Sequence, residues 1–181
     1  MVNILSFDIE EWFTYDKLSA DQETEKRLEG YLDLILGLLV DKKIHATFFV
    51  LGSIARTHPY IIKKIANFGH EIACHSDVHT WLTDFTPNQF EEDTKRAILS
   101  IEEVTGIKVR SYRAPAFSIT PSNKWAFEIL KQYGFESITL EDLYGFVKFN
   151  KKVPQKSVIF TFDDGFKSVV DASSILKENG F

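Results

Sequence analysis

His75 and His79 stand four residues apart in the run His75-Ser76-Asp77-Val78-His79. Across one helical turn that spacing puts two imidazoles on one face, where they can share a divalent metal. As a bare pair it is met more often as two surface histidines at a turn, so its context matters. Asp8 and Glu10 supply that context. They lie two apart at the end of an apolar run, where strand alternation points both side chains to one side. Two carboxylates and two imidazoles suit a divalent metal with a separate general base. Acidic pairs in loops are commonplace, and the adjacent Glu11 adds a third candidate, so the carboxylates count only together with the histidines. Arg113, in Arg113-Ala114-Pro115-Ala116-Phe117, can pair with a carboxylate and hold it in place, or can be an ordinary loop arginine. His45, His58 and His70 have no comparable surroundings, and His70, just before an apolar run, reads as a structural histidine.

The elements that must position these groups alternate between two periods. Val2–Phe7, His45–Gly52, Glu71–Cys74, Val109–Tyr112 and Val158–Phe162 read as strands, with a weaker one at Ser137–Leu140. Between them the helical period runs through Leu28–Val40, Pro59–Asn67, Pro87–Val104, Thr120–Tyr133, Glu141–Phe149 and Ser168–Asn179, with Pro at several starts and Gly134 at one end. Such alternation implies a parallel sheet or a β/α barrel, with its functional site at the carboxyl ends of the strands. Those ends carry Asp8 and Glu10, Gly52 and Ser53, His75, Arg113, and Asp163 with Asp164. Carboxylates, imidazole and guanidinium thus gather on one rim.

Composition narrows the classes. The 181 residues suffice for one domain with a substantial core or for a shortened larger one. The apolar fraction of 44% and charged fraction of 26% are ordinary for a globular protein. A net charge of −5, with no basic run, gives nucleic-acid binding no electrostatic support. The single cysteine cannot form an internal disulfide. The opening MVNILSFDIEEWF lacks the charged and apolar regions of a signal peptide, and no apolar run reaches the length of a membrane span. A cytoplasmic protein is the expectation. The sixteen Phe are expected mainly in the core.

Taken in order, Asp8-Ile9-Glu10, His75-Ser76-Asp77-Val78-His79 and Arg113-Ala114-Pro115-Ala116-Phe117 resemble the first three motifs of the polysaccharide deacetylases, the NodB-homology group or carbohydrate esterase family four. His45-Ala46-Thr47-Phe48-Phe49-Val50 and Gly69-His70-Glu71-Ile72 are similar to the segments linking those motifs. The likeness covers residues 1–135, the expected deacetylase core. It implies a distorted (β/α) barrel, here incomplete or shortened, and a divalent metal, usually zinc, held by His75, His79 and a carboxylate. By the same resemblance Asp8 is the base, Arg113 orients it, and Pro115 and Phe117 line the groove for an N-acetylated sugar or polysaccharide. The family's metal aspartate follows the base directly. That position is Ile9 here, so Glu10, two residues after the base as in some relatives, is the expected ligand. Hydrolysis of another small amide, as in allantoinase-like relatives, and a non-catalytic sugar-binding domain are the alternatives.

Residues 136–181 break the pattern. The family's late acid histidine has no counterpart, since no histidine follows His79. Instead Val158-Ile159-Phe160-Thr161-Phe162-Asp163-Asp164-Gly165 resembles the family's first motif in its commonest form, as though the domain began a second time. A truncated tandem or fusion, a late strand closing a shortened barrel, and a domain that has lost catalysis all account for this. The first is favoured for origin and the second for local geometry. Asp163 and Asp164 are then alternative metal carboxylates.

Overall fold

The computed structural model describes residues 5–11, 22–137, 140–154 and 157–158, with side chains from residue 28 onward in the first long helix. Asp163 and Asp164, and the terminal helix expected after them, lie outside the described residues. Three parallel strands form the main sheet in the order β1 (Ser6–Ile9), β2 (Thr47–Val50), β3 (Glu71–Cys74). Their register aligns Asp8 with Phe49 and Phe49 with Ala73, so the chain leaves all three strands at one level. Phe48, Val50, Ala73 and Cys74 are buried completely, as expected of parallel strands covered on both faces. Cys74 is encased, and burial pushes its thiol pKa far above the ordinary thiol range.

Helices α1 (Gln22–Lys42), α2 (Gly52–Thr57), α3 (Pro59–Asn67) and α4 (Pro87–Thr105) connect and cover the strands. In α1 the buried stripe is Leu32, Leu36 and Leu39, narrower than the full apolar set, and Tyr31 and Leu38 stay exposed. Helix α4 begins with a reciprocal Thr86–Gln89 capping box and ends at Gly106 in the left-handed region, φ 69°. Its buried face includes Phe90, Ala97, Ile98 and Ile101. Beyond it come α5 (Trp125–Gln132), β4 (Glu136–Ser137), α6 (Leu140–Phe149) and β5 (Ser157–Val158), with β4 and β5 paired in parallel as a separate two-stranded sheet. None of the described helices is long and apolar enough to cross a membrane.

Three expectations need correction. Strand β1 runs to Ile9, so Asp8 lies inside it and not beyond its end. The segment Val109–Tyr112 is no full strand: it makes a single parallel bridge, Cys74 with Tyr112. The bonds Cys74 N–H to the Ser111 carbonyl and Arg113 N–H to the Cys74 carbonyl, both 2.9 Å, nevertheless bring Arg113 beside His75. Finally, the strand expected to run to Gly52 stops at Val50, and Gly52 opens the helix α2. Six residues are too few for a clear helical period, which hides it from sequence.

Helix α2 sits tightly under the histidine segment. A Cβ on Gly52 would come within 2.4 Å of Asp77 Oδ1 and 2.6 Å of the Ala97 Cα, closer than packed atoms permit. Gly52→Ala is expected to lower stability by about 1–3 kcal/mol through overpacking, read as a lower urea midpoint at unchanged m-value.

Candidate metal and base site

The rim of the main sheet brings together residues from three distant parts of the chain. Glu10, directly after β1, lies with its Oε2 2.9 Å from His79 Nε2 and 3.9 Å from His75 Nε2. One donor atom from each of the three falls within 4.8 Å of the others. Ligands 2.0–2.1 Å from a tetrahedral zinc stand about 3.3 Å apart, and the two Glu10 distances bracket that value. Glu10 Oε2 is buried and outside hydrogen-bond geometry with every described residue, an arrangement that suits a carboxylate facing a cation. The donor set, two imidazoles and one carboxylate, therefore fits a divalent metal such as zinc.

His75 is poised for that role by its other nitrogen. Its Nδ1 lies 2.9 Å from the backbone carbonyl of Arg113, which can only accept, so Nδ1 carries the proton and Nε2 presents its lone pair to the carboxylates. Burial holds the His75 pKa below its ordinary value, against the opposing pull of Asp8, the Arg113 carbonyl and Glu10. The neutral imidazole, the form that ligates metals, is thus favoured.

Asp8 stands beside this group, its Oδ2 3.9 Å from His75 Nε2. Its other oxygen accepts a 2.6 Å bond from Arg113 Nη1. Arg113 Nη2 donates to Ser6 Oγ at 2.7 Å, and the guanidinium lies 3.9 Å over the Phe49 ring. Arg113 therefore touches Asp8 with its side chain and His75 with its carbonyl. The turn after it places Ala116 and Phe117 at positive φ, 50° and 51°. Phe117 is 74% exposed on this turn, whereas Pro115, at its start, is buried. Ser118 Oγ donates to the Pro115 carbonyl at 2.6 Å and accepts the Leu82 N–H at 2.8 Å, tying this turn to the segment after His79. His70 is placed away from the group: it is buried against Phe48 and accepts a long bond from the Ala46 N–H.

The family model for polysaccharide deacetylase matches residues 11–138. The chain belongs to the polysaccharide deacetylase family. The match begins just after Glu10, so it includes His75, His79 and Arg113 but not the two carboxylates. Over 109 residues the chain is 26% identical to the peptidoglycan-N-acetylmuramic acid deacetylase of Bacillus subtilis (strain 168), covering 60% of this chain and 41% of that one. Over 84 residues it is 34% identical to a chitooligosaccharide deacetylase of Rhizobium leguminosarum bv. trifolii, covering 44% of this chain and 39% of the relative. Among solved structures it is similar to a Mycobacterium smegmatis protein classed as a polysaccharide deacetylase, with TM-score 0.61 and 30% identity over 74% of this chain and 49% of that one. It also shares its fold with a CE4 family pseudoenzyme from Bacillus anthracis, at TM-score 0.59 and 18% identity, covering 98% of this chain and 61% of that one. The chain spans less than half the length of these curated relatives.

Four residues around the histidine segment were not singled out from sequence: Arg56, Asp77, Asp93 and Arg96. Asp77 sits inside the histidine run itself, which was the available signal. Asp93, on α4, is 2% exposed and accepts the Asp77 N–H at 3.0 Å. Burial raises its carboxyl to about 6, against the stabilising pull of that N–H. A carboxyl whose folded pKa lies above its unfolded value favours folding while protonated, and that contribution is lost as pH rises from about 4 through about 6. Asp93→Asn keeps an acceptor for the Asp77 N–H and cannot ionise. The variant is expected to gain stability relative to the parent as pH climbs through this window, by up to about 3 kcal/mol, and to level off above it. Urea unfolding of both proteins between pH 4 and 8 measures the difference.

Proposed function

We infer that this polysaccharide deacetylase-family chain is a metal-dependent hydrolase that removes N-acetyl groups from an acetylated amino sugar or its polymer. The observation that carries this reading is the Glu10–His75–His79 donor set with a second, separately anchored carboxylate, Asp8, at its edge. The acetylated sugar polymers named for its relatives support the substrate class.

A divalent cation held by Glu10, His75 and His79 supplies Lewis acidity toward an amide carbonyl and eases deprotonation of water in the site. Asp8 is the base. One of its oxygens is engaged by Arg113 and the other faces the site, so it can take a proton from water attacking the acetyl carbon without losing its anchor. Arg113, stacked on Phe49 and bonded to Ser6, holds Asp8 back from the histidines, so that it does not become a fourth ligand. His75, fixed through Nδ1, keeps the same nitrogen directed at the site throughout. Exposed Phe117 offers a flat apolar face at the rim, suited to the face of a sugar ring.

A second reading, a sugar-binding domain without turnover, is favoured by Ile9 standing where the family resemblance places the metal aspartate. The two separate on purified protein. Replacing His75 and His79 by Ala is expected to abolish stoichiometric zinc, and retention of full zinc would place the metal elsewhere. Asp8→Asn is expected to keep zinc and lose acetate release from a chitin oligomer by about 10²–10⁴-fold, the range for a general base. Zinc and oligomer binding by the parent, with no acetate released, would establish the second reading.

A further inference from the structure

The two histidines sit on a backbone that resists its own conformation. Within five residues, Ser76 and His79 both adopt positive φ, 69° and 61°, which costs a non-glycine residue about 1–2 kcal/mol each. Such strain persists only where the surroundings over-determine it. Here the surroundings converge on Asp77, between the histidines and 1% exposed. Arg56, from α2, grips its carboxylate with both terminal nitrogens, at 2.6 and 2.9 Å. Arg96 Nε, from α4, adds a third contact at 2.8 Å. Arg56 also donates to Ser100 on α4 at 2.8 Å, so the two helices and the segment are joined at one point. The main chain is held too: Gly52 N–H and Ser53 N–H donate to the carbonyls of Ser76 and Asp77, at 3.0 and 2.9 Å. Ser76 Oγ accepts the His79 N–H at 2.9 Å, closing the turn that aims the second imidazole.

The geometry points to Asp77 as a positioning residue for the metal ligands: its two-arginine clamp holds the segment in the strained turn that keeps His75 and His79 directed at Glu10. A fork-to-carboxylate pair fixes direction as well as distance, and it acts here on the residue midway between the ligands. A buried carboxylate inside a ligand run would otherwise be a poor choice, because its negative charge would have to be met by something. The two arginines meet it, and they arrive from two helices, α2 and α4, that pack on each other. This role rests on the metal reading above, and its test separates the two.

Asp77→Ala and the milder Arg56→Gln are compared with the parent by zinc affinity under chelator competition, by the visible absorption of bound Co(II), and by amide hydrogen exchange of the zinc-free proteins. Outer groups that orient ligands typically alter metal affinity by roughly 10–100-fold. Asp77→Ala is expected to weaken zinc by at least about 10-fold and change the Co(II) spectrum. Arg56→Gln should move both in the same direction by less. Exchange should accelerate at residues 76–79 in both variants while the β2 and β3 amides stay protected. Zinc affinity within twofold of the parent in both variants, with an unchanged Co(II) spectrum, would overturn the assignment and leave the metal site standing. Should the parent bind no metal, faster exchange confined to residues 76–79 would uphold the clamp while the metal reading fails. Unchanged exchange there would end both.

Discussion

Arg113 is the residue through which the two halves of the site meet. The short parallel bridge at Cys74 brings it alongside the end of β3, and there it acts twice: its carbonyl accepts from His75, and its guanidinium reaches back across β2 to Asp8. A candidate metal ligand and the candidate base are thus referenced to one α-carbon, although they lie 67 positions apart in sequence. The register of β1, β2 and β3 makes that reach possible, because it delivers all three strand ends at one level. Slipping β1 by one residue would turn Ile9 toward the rim and Asp8 into the core.

The same register explains the placement of Glu10. Residue 9 points inward and is only 3% exposed, so an acidic side chain there would face the hydrophobic core. Residues 8 and 10 flank it on the other side. Glu10 stands where the strand has ended, and its extra methylene relative to aspartate lengthens its reach to both imidazoles. Asp8, still within the strand, has its backbone in register with Phe49 of β2, which suits a group that must hold its aim.

Much of this was legible in the sequence because it depends on short-range pattern. Short apolar runs located β1 to β3, the proline starts marked α3 and α4, Gly134 marked the end of α5, and the rule that sites gather at carboxyl ends of parallel strands assembled Asp8, Glu10, His75, His79 and Arg113 into one group. What stayed hidden depends on pairing across distance. Nothing local distinguishes Arg56 or Arg96 from solvent-facing helix arginines, and each remains partly exposed along its stem. Asp77 looks like a loop residue until two helices are seen to close over it. Helix α2 escaped notice because six residues carry too little period, and Val109–Tyr112 resembled a strand although it pairs at one point only. Pro115, expected at the sugar groove, lies buried at the start of a turn whose next two residues take positive φ, a conformation with no local signal in the sequence.

Cys74 ends β3, immediately before His75, and no solvent reaches it in the folded chain. Its thiol is poorly ionised as well as enclosed, so the native protein presents alkylating reagents with no target. Modification must then wait for the strand to leave its place, and leaving its place also scatters the site. Where alkylation outpaces reclosing, the rate at which this thiol becomes labelled is therefore a clock for the lifetime of the assembled rim. It needs no engineered residue, only an added alkylating reagent.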